Sequence, residues 1–457
     1  MTSTSPVPSP AWVRDAVFYQ IFPDRFANGD PSIDPEGVEA WGRRPTRGNF
    51  FGGDLAGIES RLDHIESLGA NALYLTPIFE ADTNHRYDTA DYFRIDHRLG
   101  DLNAFRRLIA AAHARGIRVV LDAVFNHAGE GHWAFRHVYA HGADSPYASW
   151  FTVDAFPVVR EPEPNYATCM GCKYLPQINH ADPAARAYLL EVARHWAREG
   201  IDGWRLDVPF LVEHDFWREF RREVKGIDDD LYIVAEIWGT AEEWLQGDMA
   251  DGAMNYPLRD LICDFADGGD HAERTASRLA SLHAITPERS RGSMLNLLGS
   301  HDTPRIATRL AGEPAAIRIA VALLLTSPGA PMIYYGDEVG LEGGEDPDCR
   351  RTMPWSEHDW NAPLLDWHRR LIALRRAHPA LRGDVDAVTA HGSDLLVRKR
   401  SDGRETLWVV ANRGRTPIAV SADAVAGATY DLLAESRLAI REGELLVPPG
   451  VAILGSP

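Results

Sequence analysis

Short apolar segments alternate along the chain with longer segments in which apolar residues recur at a helical period. LNAFRRLIAAAHARG and AARAYLLEVARHWAREG are examples of the helical pattern. Apolar runs separated by helices indicate parallel strands that are buried on both faces. A set of eight such runs predicts a (β/α)8 barrel rather than an open sheet. The runs are AVFYQIF (16–22), ALYLTPIF (72–79), RVVLDAVF (118–125), GWRLDV (203–208), YIVAEIW (232–238), GAMNY (252–256), MLNLLG (294–299) and PMIYY (331–335).

Two stretches of the chain break this alternation. The stretch that follows the third strand is rich in Pro, Tyr and His, and a structureless loop of about 50 residues is unusual, so we predict an inserted subdomain there. From about residue 383 the pattern changes to short alternating strands, which predicts a separate antiparallel β domain. The predicted organisation is a flexible lead-in (1–10), a catalytic barrel (11–127 and 179–382), an inserted subdomain (128–178) and a C-terminal β domain (383–457).

The charge balance of the 457-residue chain is acidic, with 47 Lys and Arg against 66 Asp and Glu and a net charge of −19. This field repels phosphate groups and argues against a nucleic acid partner, whereas a neutral sugar needs no complementary charge. The first residues, MTSTSPVPSP, lack the basic end and apolar core of a signal peptide. No segment reaches the roughly 20 apolar residues of a membrane-spanning helix. We therefore expect a cytoplasmic protein without a membrane partner, and four cysteines agree with a reducing compartment.

The C-terminal ends of barrel strands are where catalytic residues are expected. A single carboxylate at such an end is more often a helix cap, an ion-pair partner or a solvated residue. Here several polar strand ends converge, which favours a site. These residues are Asp122, Asn126 and His127 on the third strand, Arg205 and Asp207 on the fourth, Glu236 on the fifth, and His301 and Asp302 on the seventh.

Two of these carboxylates have the properties that glycoside cleavage requires. Retaining cleavage uses two carboxyl groups about 5–5.5 Å apart, and Asp207 and Glu236 follow consecutive strands. Arg205 lies on the same strand face as Asp207 and should keep it ionised, as a nucleophile requires. Apolar neighbours should raise the pKa of Glu236, as a general acid requires. The side chains expected to bind the same sugar are Asp302, His127 and His301.

Four short motifs resemble the signature regions of the α-amylase superfamily, in the same order and with suitable spacing: DAVFNH (122–127), GWRLDV (203–208), AEIW (235–238) and GSHD (299–302). The resemblance implies Asp207 as nucleophile, Glu236 as general acid/base and Asp302 as transition-state stabiliser, with no organic cofactor. The substrate contacts that it implies are Arg205, His127, His301, Tyr87, His85, Asp346 and Arg350. Phe210 and Trp238 are added as aromatic candidates, although a single aromatic side chain more often serves packing.

The resemblance extends from about residue 12 to the C-terminus and is strongest to the neopullulanase, cyclomaltodextrinase and maltogenic amylase branch. VFYQIFPDRFANGDP, FFGGDL, NHRYDTADYF and YYGDEVGLEGGEDPDCRRTMPW carry it. Three features depart from that branch. Only about ten residues of this sequence precede the barrel, where that branch usually has a β domain. Phe210 and Leu211 stand where Asn-Glu is common, and LPQIN has Gln177 where Lys is common. These departures leave the reaction unchanged and bear on acceptor preference and on the preference for rings or chains.

A cluster of hard oxygen donors near the first strand matches the ligand preference of Ca²⁺. The cluster resembles a calcium loop of the same branch, except that Ile33 replaces a frequent Asn ligand. The alternative is a metal-free Asn/Gly/Asp turn. Cys169 and Cys172 form half of a zinc pattern, but no second pair follows at metal spacing. The expected ligands of a structural Ca²⁺ are Asn28, Asp30, Asp34, Gly52 and Asp54.

The sequence thus predicts a retaining hydrolase of α-1,4 glucosidic bonds in starch-type glucans, pullulan, maltooligosaccharides or cyclodextrins, and it leaves open whether α-1,6 bonds are also cleaved. A transglycosylase or isomerase of the trehalose synthase type, an α-glucosidase acting on short oligosaccharides and a non-catalytic relative stay open as alternatives. The intact Asp207, Glu236 and Asp302 argue against the last of these. Without the preceding β domain, we expect an open groove and a monomer or weak homodimer. Such an enzyme should degrade starch or pullulan at least as well as cyclodextrin.

Overall fold

The computed structural model describes residues 8–456, apart from the side chains of residues 385 and 386. Most of the predicted flexible lead-in, residues 1–7, therefore lies outside the described residues. At the start of the described part, Ser9 Oγ donates a hydrogen bond to the Asp251 carbonyl oxygen at 3.3 Å. Within the described residues, no helix is both long enough and apolar enough to cross a membrane.

Eight parallel strands form a closed barrel, which confirms the fold class predicted from the sequence. Each predicted apolar run overlaps one barrel strand, and the sheet order is β6-β5-β4-β3-β2-β1-β8-β7. A parallel bridge between Met254, just after β6, and Leu295 in β7 joins the two ends of this order and closes the barrel. The strands are β1 (Phe18–Ile21), β2 (Ala72–Leu75), β3 (Arg118–Ala123), β4 (Gly203–Leu206), β5 (Tyr232–Ala235), β6 (Gly252–Ala253), β7 (Leu295–Asn296) and β8 (Ala330–Tyr334).

Both faces of the strands are apolar because both are covered. Phe18, Tyr74 and Val234 belong to one buried cluster inside the barrel. Tyr19 and Leu73 belong to the other cluster, which packs against the surrounding helices. Alternation along each strand therefore sends successive apolar side chains into two different cores. This is why the strands are continuous apolar runs in the sequence.

Helices surround the barrel, and several begin at a capping side chain. Asp101 accepts a hydrogen bond from the Ala104 amide, and Asp182 accepts from the Ala184 and Ala185 amides, which satisfies amides of the first turn. The connection after β5 carries only the 3-10 turn Glu242–Leu245 before β6. The barrel helices are Leu55–Ser60, Leu62–Leu68, Leu102–Ala114, Pro183–Arg198, His214–Lys225, Tyr256–Asp267, Ala272–Ile285, Pro314–Leu325 and Ala362–Ala377.

The chain between β3 and the helix Pro183–Arg198 folds as a small irregular unit over the barrel mouth. It contains the helix Trp133–His141 and the 3-10 turns Gly142–Asp144, Ala148–Trp150 and Cys169–Gly171. Its end returns to the barrel, where His127 and Gln177 form an antiparallel bridge. The subdomain is thereby fixed directly beside the strand end that carries His127.

The C-terminal part consists of two antiparallel sheets that pack beside the barrel helices. Arg398 crosses this boundary and donates hydrogen bonds to the Leu323 and Thr326 carbonyl oxygens. The first of these strands begins at Asp384, next to the boundary expected from the sequence. The strands are β9 (Asp384–His391), β10 (Leu395–Ser401), β11 (Thr406–Asn412), β12 (Ile418–Ser421), β13 (Tyr430–Asp431), β14 (Ser436–Arg437), β15 (Ile440–Arg441), β16 (Glu444–Val447) and β17 (Gly450–Gly455).

Candidate active site

The two candidate catalytic carboxylates occupy equivalent positions on neighbouring strands. Strands β4 and β5 pair with Leu206 opposite Ala235, and Asp207 and Glu236 are the next residue of each. The backbone pairing continues there, because the Glu236 amide donates to the Leu206 carbonyl at 3.1 Å. Both side chains are buried at the C-terminal end of the barrel. The fold therefore places the two predicted carboxylates next to each other.

One guanidinium group joins three carboxylates at the centre of the site. Arg205 Nη1 lies 2.7 Å from Asp207 Oδ1 and 3.0 Å from Asp122 Oδ1. Arg205 Nη2 lies 3.0 Å from Glu236 Oε1. The Arg205 side chain is 1% exposed, so these contacts act in a medium that screens charge weakly. The nucleophile and acid candidates thus share a single cation.

A single positive charge cannot neutralise three buried carboxylates. Burial raises the pKa of Asp207, of Glu236 and of Asp122, and Arg205 opposes the rise in each case. The sequence argument that Arg205 alone keeps Asp207 ionised is therefore incomplete, because burial acts against it. The three carboxyls are close enough to titrate together. Their protonation is therefore a property of the group, and a bound proton is not assigned to a single residue.

Two hydrogen-bond donors orient Glu236. The Val208 amide donates to Glu236 Oε2 at 2.9 Å, and Trp238 Nε1 donates to Glu236 Oε1 at 3.2 Å. Both bonds favour the ionised form and lower the pKa that burial raises. Val208 has a φ of 34°, which is left-handed backbone that a β-branched residue rarely adopts. Strain of this kind at the residue after Asp207 fits a functional turn.

A chain of hydrogen bonds runs across the floor of the site. Tyr87 Oη donates to Asp122 Oδ2 at 2.9 Å and lies 2.6 Å from His301 Nε2. Gln20 Nε2 lies 2.8 Å from His301 Nδ1, and Tyr74 Oη donates to Asp122 Oδ2 at 2.6 Å. Gln20 and Tyr74 were not among the site residues expected from the sequence. A polar atom on an inward-facing strand position was the available signal for both.

The three histidines of the site are neutral at ordinary pH. Burial lowers the pKa of His85 to about 3 and that of His127 to about 4. Burial, together with Arg350 and Arg205, lowers the pKa of His301 well below its usual value. A neutral imidazole both donates and accepts hydrogen bonds, which suits sugar hydroxyl groups.

A second ion-pair group borders the site on the side of β7 and β8. Arg350 Nη2 lies 3.3 Å from Asp302 Oδ1, and Arg350 Nη1 lies 3.0 Å from Asp346 Oδ1. Arg350 Nε also donates to the His301 carbonyl at 2.8 Å. His301 Nε2 lies 3.1 Å from Asp302 Oδ2. The structure thus brings together Asp302, Asp346 and Arg350, which lie far apart from Asp207 in the sequence.

Two exposed aromatic side chains flank the carboxylates. Phe210 and Trp238 are each 47% exposed, although large apolar side chains usually bury most of their surface. Trp238 stacks on Tyr256 with ring centroids 3.9 Å apart and planes 11° apart. Trp238 contacts Glu236 and Phe210 lies in the turn after Asp207, so both exposed rings suit contacts with the flat faces of sugar rings.

The residues predicted to bind calcium lie together in one loop region but have different surroundings. Asn28 Nδ2 donates to both oxygens of Asp34, and Asn28 Oδ1 is buried without a hydrogen-bond partner. Asp54 caps a helix and accepts hydrogen bonds from the Gly29, Asp30 and Gly57 amides. The Asp30 carboxylate accepts from Ser32. Among residues 8–456, no group of three acidic, His or Cys side chains is arranged for a metal.

Gly52 closes the same loop region. A Cβ atom at this position would lie 2.3 Å from Asp34 Oδ1, and the φ of Gly52 is +78°. Both facts require glycine there.

The comparisons with known proteins agree on one family. Residues 20–382 match the profile described as the α-amylase catalytic domain. The ligand-free structure of the cyclic α-maltosyl-(1→6)-maltose hydrolase from Arthrobacter globiformis is 54% identical, with a TM-score of 0.93, and the match covers 98% of this chain and 99% of that one. A cyclomaltodextrinase of Geobacillus thermopakistaniensis is 45% identical over 450 residues, which are 96% of this chain and 76% of that protein. Neopullulanase 2 of Thermoactinomyces vulgaris is 49% identical over 382 residues, which are 82% of this chain and 65% of that protein.

Proposed function

Because this chain belongs to the α-amylase family of glycoside hydrolases, we propose that Asp207 and Glu236 carry out retaining hydrolysis of α-glucosidic bonds in small maltose-containing oligosaccharides. The observation that carries the proposal is the shared guanidinium: Arg205 contacts Asp207 at 2.7 Å and Glu236 at 3.0 Å. When one of two carboxyls beside a single cation is ionised, its negative charge raises the pKa of the other. Retaining cleavage needs this state, with one carboxyl ionised and one protonated.

In this mechanism Glu236 gives its proton to the glycosidic oxygen while Asp207 attacks the anomeric carbon. The C–O bond to the leaving sugar breaks, and a covalent glucosyl–Asp207 ester forms. Water, deprotonated by Glu236, then attacks the anomeric carbon and releases Asp207. The α configuration is retained because the anomeric carbon is inverted twice. Arg205 stays charged through both steps and stabilises the carboxylate that each step releases.

The surrounding side chains hold the sugar at the point of cleavage. Asp302, which lies beside Arg350, stabilises positive charge on the ring as the bond breaks. His127 and His301, both neutral, bind hydroxyl groups, and Tyr87 offers its ring as a platform. Further hydroxyl contacts fall to His85, Asp346 and Arg350, and the flanking sugars contact Phe210 and Trp238.

The choice of substrate rests on a relative of nearly equal length that is 54% identical. The Arthrobacter enzyme matches 98% of this chain and is named for hydrolysis of cyclic α-maltosyl-(1→6)-maltose. We therefore propose a small cyclic or short linear maltose-containing sugar as the preferred substrate. Cyclodextrins and pullulan are the second candidates, because the cyclomaltodextrinase and the neopullulanase are 45% and 49% identical.

Parallel assays test this proposal. We would measure kcat/KM for cyclic α-maltosyl-(1→6)-maltose, γ-cyclodextrin, pullulan, amylose and maltotriose, and follow the first product by NMR. We expect the cyclic tetrasaccharide to give the highest kcat/KM and the first product to be the α anomer. Products longer than maltotriose from maltotriose would favour the transglycosylase alternative. A β anomer as the first product would contradict the mechanism, and a preference for amylose would contradict the substrate.

The family needs no organic cofactor, and we propose one structural Ca²⁺. The buried Asn28 Oδ1 without a partner, the Asp34 carboxylate and the tight approach at Gly52 support it. Asp30 belongs to the same group of oxygens. Asp54 already accepts three backbone hydrogen bonds, so it would act by fixing the loop. Bound Ca²⁺ would tie the loop to the first barrel strand and add stability rather than chemistry.

We further propose a cytoplasmic enzyme that is a monomer or a weak homodimer. The intracellular maltogenic amylase of Bacillus subtilis, which is 44% identical over 376 residues, supports the location. The net charge of −19 supports the assembly state, because like charge opposes self-association, although physiological salt screens it over about 8 Å. Light scattering on the purified protein measures the mass directly.

A further inference from the structure

Gln177 stands where three parts of the site meet. Its backbone pairs with His127 at the end of β3, and its amide donates to the Ala167 carbonyl at 2.9 Å inside the inserted subdomain. Its side chain reaches the turn after β4. Among the described residues, Gln177 is the one side chain of the subdomain that forms a hydrogen bond with the 3-10 turn Pro209–Leu211. A second side-chain hydrogen bond to this turn comes from Trp217 on the following helix.

The Gln177 side chain is fixed by two acceptors. Gln177 Nε2 donates to Asn126 Oδ1 at 3.1 Å and to the Leu211 carbonyl at 3.3 Å. A carbonyl accepts only, so the amide nitrogen and not the amide oxygen must face Leu211. Asn126 Nδ2 lies 3.2 Å from His127 Nδ1, and His127 Nε2 lies 3.1 Å from the Tyr87 carbonyl. Each group in this chain of hydrogen bonds can therefore donate to the next one, from Gln177 through Asn126 and His127 to the Tyr87 carbonyl.

The turn that Gln177 holds carries two contacts to the reaction. Phe210, at the middle of the turn that follows Asp207, is 47% exposed. Val208, just before the turn, keeps a strained φ of 34° while its amide donates to Glu236 at 2.9 Å. A strained conformation persists only where surrounding contacts fix it. Inside the turn the Leu211 amide bonds to the Val208 carbonyl at 3.0 Å, so holding Leu211 also holds Val208.

We propose that Gln177 is a positioning residue for the acid/base step: by tying Leu211 to Asn126, it keeps the Val208 amide on Glu236 and Phe210 at the edge of the cleft. The inference rests on the proposed role of Glu236. Gln177 does not act on the substrate in this proposal. It acts through the turn. This role requires a side chain that is long enough to reach Leu211 and that ends in a hydrogen-bond donor.

The test compares variants of Gln177 by pH profile as well as by rate. Gln177→Met keeps the length of the side chain and removes the donor. We expect kcat on γ-cyclodextrin or maltotriose to fall about tenfold, the effect of one hydrogen bond to a reacting group. Because the ionised form of Glu236 loses the Val208 amide, its pKa should rise. The basic limb of kcat/KM, where Glu236 must stay protonated, should then move to higher pH.

Gln177→Lys serves as the conservative variant. An ammonium group of similar reach can donate to both oxygens, so kcat should recover most of the loss. Its positive charge favours ionised Glu236, so the basic limb should move below that of the wild type. A lysine variant as slow as Gln177→Met would contradict the hydrogen-bond argument.

Asn165→Leu is the matched control. Asn165 is an amide in the same subdomain, and its Nδ2 donates to the Ala155 and Pro157 carbonyls without contact to the turn. We expect a lower Tm with an unchanged pH profile. An equal loss of kcat in Asn165→Leu and Gln177→Met would overturn the proposal, as would a Gln177→Met profile identical to that of the wild type. A wild-type enzyme without glucosidase activity would instead count against the proposed function.

Discussion

At the scale of single residues, one guanidinium group contacts three buried carboxyl groups at the centre of the site. Arg205 contacts Asp122, Asp207 and Glu236. Burial alone would favour protonation of all three, and Arg205 alone would favour ionisation. Double-displacement chemistry requires one ionised and one protonated carboxyl, and burial and Arg205 shift the pKa values of the group in opposite directions.

Replacing the nucleophile tests this arrangement most directly. Asp207→Asn removes the attacking carboxylate and keeps the shape of the side chain. We expect kcat to fall by at least about a thousandfold, and covalent labelling by a fluorinated glucosyl donor to disappear in mass spectra. Asp215→Asn is the control, because Asp215 pairs with Arg186 at the surface. Near-normal turnover of Asp207→Asn would refute the assignment.

Replacing a donor to the acid tests the pKa argument. Trp238→Phe keeps an aromatic ring over Tyr256 and removes the Nε1 donor to Glu236 Oε1. Because the donor favours the ionised form, its removal should raise the pKa of Glu236. Activity requires protonated Glu236 and falls as pH rises through that pKa, so the basic limb of kcat/KM should move to higher pH.

The control for this measurement is Trp12→Phe. Trp12 Nε1 donates to the Asp230 carbonyl, away from Glu236, so the profile should not move. A basic limb that moves to lower pH in Trp238→Phe would contradict the role of its hydrogen bond.

At the scale of elements, the turn after β4 sets the geometry of the acid. The turn begins at Val208 in left-handed backbone and continues through the 3-10 segment Pro209–Leu211. Trp217 Nε1 donates to the Pro209 carbonyl from the next helix at 2.9 Å. The packing of the turn on this helix therefore contributes the energy that holds Val208 in its strained conformation.

The strain is measurable by substitution with glycine. A β-branched residue in left-handed backbone costs about 1–2 kcal/mol, whereas glycine costs about 0.5–1 kcal/mol of chain entropy. We expect Val208→Gly to raise the free energy of unfolding in urea by up to about 1 kcal/mol. Val212→Gly is the control, since Val212 is buried with a φ of −120°, and it should lose stability. Equal losses in both variants would show that Val208 carries no strain.

At the scale of the whole molecule, barrel closure brings distant segments to one end. Gln20 on β1 and His301 after β7 are 281 positions apart and lie 2.8 Å from each other. In the loop region of Asn28 and Asp34, Asn28 donates to Asp34 and Asp54 accepts from the Gly29, Asp30 and Gly57 amides, so these side chains contact the loop itself and not the catalytic carboxylates. A metal bound there therefore bears on the stability of the barrel more than on the reaction.

Removal of divalent cations tests the calcium proposal. A ligand that binds only the folded state raises its stability by mass action. We expect EDTA to lower Tm, added Ca²⁺ to restore it, and KM to stay unchanged. In Asp34→Ala the Tm should be low and should not respond to either treatment. An unchanged Tm in EDTA, with no metal found by elemental analysis, would end the proposal.

The sequence by itself determined the strands and the motifs, because both depend on residues close together in the chain. Each apolar run predicted one barrel strand, since two cores require apolar residues on both strand faces. The four motifs predicted which strand ends carry chemistry, and the structure brings Asp207, Glu236 and Arg205 together. Their catalytic roles stay predictions that the variants above test.

Only the tertiary structure decided what each of these groups faces. Burial of Asp207 depends on the whole barrel mouth, so its raised pKa could not be inferred from the neighbouring Arg205 alone. Gln20 and Tyr74 join the site through strand pairing across the barrel, and the use of Asp54 as a helix cap depends on how residues 29 and 30 fold back. Gln177 differed from the expected lysine in the sequence, but its contact with Leu211 required the subdomain to return to β3. Hydrogen bonds between segments far apart in the chain are set by packing, and no local pattern encodes them.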